Sequence, residues 1–159
     1  MAITSNEVLP VAPNYNDTYT QTGFIIKEFS DIDVITADTT QFTNTINSPR
    51  LARWDSAAAK MKLCGSTNRP THIFLPGSVS GTVASFLALG SRAYQVGTLD
   101  DLQTGDIVYT ADDGLVTKTP SNGAYPVGYS RSVTPATIGE AQGSLVLFQS
   151  YVAGPAYSA

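Results

Sequence analysis

From residue 71 onward, short apolar runs alternate with polar residues, and glycine or proline interrupts them about every ten residues. Runs of β-branched and aromatic residues at this spacing are typical of a small β-sandwich or barrel. The pattern therefore predicts a mainly β domain over residues 70–159. The predicted strands lie at residues 71–75, 82–89, 92–96, 106–111, 115–119, 127–132 and 144–152.

Two turns are predicted within this domain. Asp113-Gly114 lies between the runs 107–109 and 115–117, and both residue types tolerate the positive φ that a tight hairpin turn requires. Ser121-Asn122-Gly123 has the composition of a second turn. We therefore expect residues 106–119 to form a β-hairpin.

The first 22 residues have no apolar period and contain Pro10 and Pro13, which predicts an extended N-terminal arm. Tyr15 and Tyr19 are its expected contacts, although a loose chain end without a role is an equal alternative. Residues 23–69 form the next predicted segment. It begins with β-rich runs at 23–29 and 31–36.

The same segment contains the one predicted amphipathic helix, at about residues 49–63. Ser48 supplies an N-cap hydroxyl and Pro49 suits the first helical position, while Cys64-Gly65 provides a left-handed end. The apolar positions recur at helical spacing, which predicts a face buried in the core with the tryptophan as its anchor. These positions are Leu51, Trp54, Ala58 and Met61.

Charge is low and unevenly distributed. Thirteen acidic and nine basic residues give a net charge of −4, which argues against a protein that grips phosphate backbones. Five of the basic residues fall within 50–69 beside one acid, so that segment carries about +4 and the remainder about −8. Arg50, Arg53 and Lys60 could orient the molecule against an acidic partner, although an ordinary solvated helix face is the simpler explanation.

Candidate catalytic groups are few. The chain has one histidine, His72, in a strand-like setting, and one cysteine, Cys64, so neither a zinc cluster nor a supported catalytic triad is expected. Residues 77–81 resemble a nucleophile elbow, but Val79 occupies the nucleophile position, which indicates a turn.

The paired aspartates also point to turns more than to acid–base chemistry. They occur as Asp31 and Asp33, Asp100-Asp101 and Asp112-Asp113, and adjacent aspartates in turns mostly accept backbone N–H groups. The phosphate-binding and dinucleotide-binding glycine motifs are absent from the sequence, so no cofactor and no metal is expected.

The segment 86–89 is too short to span a membrane, and residues 1–7 do not resemble a signal peptide. We therefore expect a protein that is made in the cytoplasm and does not contact a membrane.

Several glycine-based motifs follow one another in a fixed order after residue 62. These are Lys62-Leu63-Cys64-Gly65, Gly105-Asp106-Ile107-Val108, Asp113-Gly114-Leu115-Val116, Pro126-Val127-Gly128-Tyr129 and Gly143-Ser144-Leu145-Val146. Their order and spacing resemble those of head decoration proteins, also called capsid cement proteins, of tailed bacteriophages. The resemblance covers about ninety residues of the chain.

The resemblance implies a β-tulip-type domain that assembles, usually as a trimer, on the outer surface of the phage head. It further implies a structural virion protein that is not an enzyme, that is made in the host cytoplasm and that binds the major capsid protein across adjoining capsomers. The candidate partner-binding residues are Tyr15, Tyr19, Phe24, Arg50, Arg53 and Lys60.

Other functions stay open at this point. The same domain could serve as a head-fibre base or a tail adaptor of a phage. A hydrolase would use His72 or an aspartate pair, and a sugar-binding β-module would stack exposed aromatic residues such as Trp54 and Tyr94 on a ring.

Overall fold

The computed structural model describes residues 32–90, 93–137, 144–150 and 153–159. Residues 1–22, with Tyr15 and Tyr19, and the predicted strand at 23–29, with Phe24, lie outside these ranges. Val34–Ala159 forms one compact unit.

Ten β-strands occur within the described residues. In chain order they are β1 (Ile32–Thr36), β2 (Arg50–Asp55), β3 (Lys60–Leu63), β4 (His72–Phe74), β5 (Val83–Ala88), β6 (Ala93–Thr98), β7 (Ile107–Thr110), β8 (Val116–Thr117), β9 (Pro126–Thr137) and β10 (Ser144–Ser150). The predicted mainly β class and the small β-domain are confirmed. Each predicted strand after residue 70 overlaps one of these strands, although β9 extends beyond its predicted end.

The strands form two sheets. One has five strands in the order β1-β5-β4-β2-β3, and the other closes into a barrel in the order β10-β6-β8-β7-β9. The barrel pairs are antiparallel except for β6 and β8, which run parallel through Thr98 and Val116. Closure leaves the barrel without a free sheet edge.

The predicted helix at 49–63 is wrong, because this segment forms the β2–β3 hairpin. The Asp55 carboxylate accepts the backbone N–H groups of Ala57 and Ala58 at 3.1 and 3.2 Å. Ala59 then has a φ of 54°, a left-handed conformation that the interior of a helix does not allow. The carboxylate and the left-handed alanine therefore turn the chain back on itself.

The buried side chains form two cores on opposite sides of β2. Leu51 packs with the barrel residues Val96, Val108 and Val127, whereas Ala52 packs with Phe74 and other residues of the second core. Neighbouring strand residues point to opposite faces, so a strand between two cores buries both. The second core is centred on three rings, with Phe42 lying 4.8 Å from Phe74 and 5.3 Å from Phe86 between centroids.

The predicted β-hairpin around Asp113-Gly114 is confirmed. Strands β7 and β8 pair through Thr110 and Val116, and the turn residues have φ values of 58° and 71°. Gly114 approaches β2 so closely that a Cβ atom there would lie 2.6 Å from the Leu51 carbonyl oxygen. The hairpin therefore packs against the neighbouring sheet at a position that only glycine fits.

The last residues lie against the barrel. Ala153 is part of the barrel core, and the Arg69 guanidinium donates to its carbonyl oxygen while lying 5.6 Å from the centre of the Tyr125 ring. The carbonyl oxygen of Tyr157 accepts the backbone N–H of Gly123, and the N–H of Tyr157 donates to the carbonyl oxygen of Ala124. These bonds use the predicted turn at 121–123, which is confirmed by the positive φ of Gly123.

Candidate functional site

The three basic residues singled out from the sequence lie on the β2–β3 hairpin in three different environments. Arg50 is buried, with 5% of its surface exposed, and donates to the Asp113 carbonyl oxygen at 2.9 Å and to Ser48 Oγ at 3.1 Å. Lys60 is partly exposed and pairs with Asp38 at 3.6 Å. Arg50 is thus a structural residue rather than the expected surface contact, whereas Arg53 borders an open cleft.

Arg53 stands directly opposite Lys62 in the β2–β3 pairing. Cross-strand partners project to the same face of a sheet, so two positive side chains lie side by side there. The Asp55 carboxylate contacts both cations, since its Oδ2 atom lies 3.2 Å from Lys62 Nζ and 3.6 Å from an Arg53 nitrogen. One negative charge beside two positive charges neutralises them only in part. The backbone N–H of Ala58 is the largest cause of the lowered pKa of Asp55, followed by Lys62 and then by the N–H of Ala57.

The cleft beside this pair has a volume of about 750 Å³. Its lining is mostly polar and comes from the β2–β3 hairpin, the segment that follows it, the loop at residues 40–41 and the β7–β8 turn. The lining residues are Thr40, Gln41, Arg53, Lys62, Leu63, Cys64, Gly65, Asn68, Asp112 and Asp113. A polar cleft of this kind suits a charged group better than an apolar ligand.

The Arg53 guanidinium is poorly supplied with acceptors. Its Nη1 lies 3.5 Å from the Trp54 carbonyl oxygen and its Nη2 lies 3.6 Å from Asp55, both long for hydrogen bonds. Its Nε atom is buried and has no hydrogen-bond partner in the described part of the chain. Arginine presents five donors, so much of the bonding capacity of Arg53 is unused.

The acidic part of the cleft lining is held by turn hydrogen bonds. Asp112 accepts the Ser66 backbone N–H at 2.9 Å, and this bond is the largest cause of the lowered pKa of Asp112. Asn68 accepts the Gly65 N–H at 2.9 Å. Asp113 is exposed at the rim. These two aspartates therefore add negative charge to the lining of the cleft.

Cys64 is among the residues that line the cleft but is only 1% exposed. Burial raises the pKa of its thiol to about 12, and the nearby Arg53 charge offsets only part of this effect. A buried neutral thiol is a poor nucleophile, and Cys64 packs as a core residue of the barrel.

A second surface feature was not predicted from the sequence. Ile107 and Tyr129 are direct partners across β7 and β9, and they are 44% and 41% exposed on the outside of the barrel. Tyr109 follows on the same face of β7, and its ring contacts that of Tyr157 at 5.9 Å in an edge-on arrangement. We call Ile107, Tyr109, Tyr129 and Tyr157 the aromatic face. Its signal in the sequence is the run 107–109, which is apolar at inward and outward positions alike.

The aromatic residues proposed for sugar stacking have different environments. Tyr94 is 8% exposed in the barrel core and donates its hydroxyl to the Ala88 carbonyl oxygen at 3.0 Å. Trp54 is 45% exposed, which corrects its expected role as a core anchor. The rings at these two positions therefore do not form one exposed stacking platform.

The other candidate chemical groups have structural roles. His72 lies on β4, where its Nδ1 atom is 2.8 Å from Thr71 Oγ1. Asp100 accepts the Lys118 N–H at 2.7 Å and the Thr117 hydroxyl, as expected for turn chemistry. Ser78, in the segment 77–81, hydrogen-bonds the Leu75 carbonyl oxygen and the Ser85 N–H within a turn.

Within the described ranges, no group of three or more histidine, cysteine, aspartate or glutamate side chains is arranged to hold a metal ion. The same residues include no helix with the length and apolarity needed to cross a membrane.

Comparison of the chain with models of known protein families, with curated proteins and with solved protein structures found no match.

Proposed function

We propose that this chain is a capsid decoration protein of a tailed phage. It binds the outer surface of the head and stabilises contacts between capsomers of the major capsid protein. Four of the five motifs behind the resemblance support this proposal because they lie in a single barrel, whereas the motif at 62–65 begins on β3 of the other sheet. The barrel contains residues 105–108 at β7 and residues 113–116 at the β7–β8 turn. It also contains residues 126–129 on β9 and residues 144–146 on β10.

The observation that carries a binding function is the aromatic face. Ile107 and Tyr129 form an exposed cross-strand pair on a barrel whose strands are already fully paired to one another. Exposed apolar patches on soluble proteins mark interaction sites, and tyrosine is enriched at the centres of interfaces. The proposed occupant of this face is the capsid surface.

The finer parts of the proposal concern assembly. A β-tulip-type domain that forms a homotrimer would present the aromatic face three times, which strengthens weak contacts through effective concentration. The segment 1–22 would act as an extended arm that adds contact with the major capsid protein. Synthesis in the host cytoplasm would precede attachment to the head.

The test uses expanded heads that lack this protein and fluorescently labelled full-length chain. Wild-type protein is expected to saturate the heads, and Ile107→Lys to bind about tenfold or more weakly, because a buried charge disrupts an apolar interface. Val34→Lys is the matched control, since Val34 is 66% exposed and lies on β1, outside the barrel. Its binding should equal that of wild type.

Two results would overturn the proposal. One is wild-type protein that does not bind the heads, and the other is labelled protein that images on fibres or tails, which would assign it to a head-fibre base or a tail adaptor. Equal loss of binding in Ile107→Lys and Val34→Lys would remove the aromatic face from the proposal.

A further inference from the structure

Arg53 has more donors than the described part of the chain satisfies, and its side chain borders an open cleft. Its two long contacts, at 3.5 and 3.6 Å, leave both terminal nitrogens available for a better acceptor. Most buried polar groups in folded proteins find partners, and the buried Nε atom has none among the described residues, so the guanidinium as a whole is poorly supplied with acceptors.

The pairing of Arg53 with Lys62 points to the charge of that acceptor. Like charges directly opposite each other across two strands are destabilising, and a single Asp55 lies near both. Asp55 already offsets part of this repulsion, and a second negative group beside the guanidinium would offset more of it. A guanidinium and a carboxylate match in geometry because two parallel N–H groups can each donate to one oxygen.

We propose that the Arg53 cleft binds one carboxylate side chain of a partner protein. The Arg53 guanidinium donates to both carboxylate oxygens, and the Lys62 ammonium group lies beside them. The inference deepens the function proposed above, which would make the partner the major capsid protein, but the preference of the cleft for a carboxylate does not depend on that identity.

The carboxylates in and beside the cleft limit the charge of the ligand. Asp112 and Asp113 line the same cleft as the cations and Asp55 contacts both cations, so a dianion such as phosphate would meet three carboxylates. A singly charged group gains the attraction of Arg53 and Lys62 with less repulsion. Few apolar side chains line the cleft, which favours a side chain presented by a protein over a small ligand that must be enclosed.

The cleft can be tested without any capsid. Acetyl-glutamate amide, which carries a single side-chain carboxylate, is titrated into full-length protein at constant ionic strength while the Arg53 Nε–Hε signal is followed by NMR. The signal should shift saturably, and the neutral isostere acetyl-glutamine amide should leave it unchanged. Arg53→Lys, which keeps the charge but loses the paired donors, should weaken binding about tenfold, measured from neighbouring backbone signals.

Lys60→Gln is the matched control, because Lys60 is a cation on the same hairpin that pairs with Asp38 and does not line the cleft. Its affinity should equal that of wild type. Lys62→Gln provides a second variant that leaves Arg53 in place, and it should weaken binding by a smaller factor than Arg53→Lys. Each variant is compared with wild type for the dispersion of its backbone spectrum, so that unfolding is not taken for lost binding.

Three outcomes would overturn the proposal. The first is an equal response to the charged and neutral amides, and the second is an equal loss of affinity in Lys60→Gln and Arg53→Lys, which would indicate general electrostatics. The third is inorganic phosphate binding more tightly than acetyl-glutamate amide, or free succinate binding more than about tenfold more tightly than that amide. Either result would assign the cleft to a small anion. Heads that fail to bind wild-type protein would refute the proposed function but leave this titration valid.

Discussion

Arg50 and Asp113, which are 63 positions apart in the sequence, join the two sheets through a 2.9 Å hydrogen bond from the guanidinium to the backbone carbonyl oxygen. Arg50 belongs to β2 of the five-stranded sheet, and Asp113 lies in the turn of the barrel hairpin. The Arg50 side chain also donates to Ser48, which is fully buried. This arginine therefore helps to fix how the β7–β8 turn sits on β2.

Replacing Arg50 by methionine should lower the free energy of unfolding by about 3 kcal/mol, because the acceptors at Asp113 and Ser48 lose a charged donor in a buried setting. Urea unfolding followed by tryptophan fluorescence measures this change. Arg53→Gln serves as the control and should change stability by less than about 0.5 kcal/mol, since the contacts of Arg53 are long and partly exposed. Equal losses in the two variants would contradict the structural role of Arg50.

Gly114→Ala should destabilise the fold by about 3 kcal/mol or more. The substitution combines an unfavourable φ of +71° with a Cβ atom placed 2.6 Å from the Leu51 carbonyl oxygen and 3.0 Å from Arg50 Cβ. Gly77→Ala is the matched control, because Gly77 has a similar φ of +75° and no atom within 4 Å of the added Cβ.

The control should lose only about 1 kcal/mol, which is the conformational cost alone. Thermal unfolding of both variants separates the two effects. A Gly114→Ala variant as stable as Gly77→Ala would show that the hairpin does not approach β2 this closely.

Acid should destabilise the protein through the turn aspartates. The Ser66 N–H bond lowers the pKa of Asp112 below the ordinary value of 3.8. A group whose pKa is lower in the folded state stabilises the fold above the unfolded value, and that stabilisation is lost as the pH falls through the folded value. The loss should therefore begin below about pH 4.

Asp112→Asn should reduce the difference in urea midpoint between about pH 6 and about pH 3, because asparagine has no carboxylate to protonate. Asp101→Asn is the control, since Asp101 contributes its backbone carbonyl oxygen, not its carboxylate, to a bond from Lys118 Nζ. An acid response that is unchanged in Asp112→Asn would refute the link between this carboxylate and stability.

The Cys64 thiol should resist disulfide reagents in the native protein. At about pH 8, a thiol with a pKa of about 12 and 1% exposure contains very little thiolate and offers little access. Reaction with a coloured disulfide reagent should therefore follow the rate of unfolding and become fast in concentrated urea. The chain has a single cysteine, so the signal is unambiguous. Immediate reaction of the native protein would contradict the burial of Cys64.

Much of the barrel could be predicted from the sequence because its strands are short and bounded by turn residues. Asp113-Gly114 is a clear case, since the residue types that tolerate positive φ occur where the structure uses it. The exposed apolar side of β7 was not predicted from the sequence. Tyr109 and Ile107 lie on the outward side, where alternation predicts polar residues, and only the unbroken apolar run indicated this.

The hairpin at β2 and β3 could not be separated from a helix by periodicity. Leu51 and Met61 are both buried, as the helical spacing predicts, but they face opposite sides of the sheet toward different cores. A strand that is covered on both faces has no alternation to detect. The left-handed Ala59, which turns the chain, is also not indicated by its residue type.

The cleft could not be predicted for the same reason, because it depends on the β2–β3 hairpin that replaces the predicted helix. Arg53 was predicted as a partner-binding residue from its charge alone, whereas Lys62 was not. Once residues 56–59 form a turn, the register places Lys62 opposite Arg53. The long contacts of the guanidinium are a matter of distances between side chains, which no sequence pattern describes.

Strand β2 gives Leu51 to the barrel core and Ala52 to the phenylalanine core. Melting either sheet would uncover one side of this shared strand, so neither sheet has an independent folding equilibrium. Val34–Ala159 is therefore expected to lose its structure in one cooperative step, and a calorimetric scan of this unit should show a single peak.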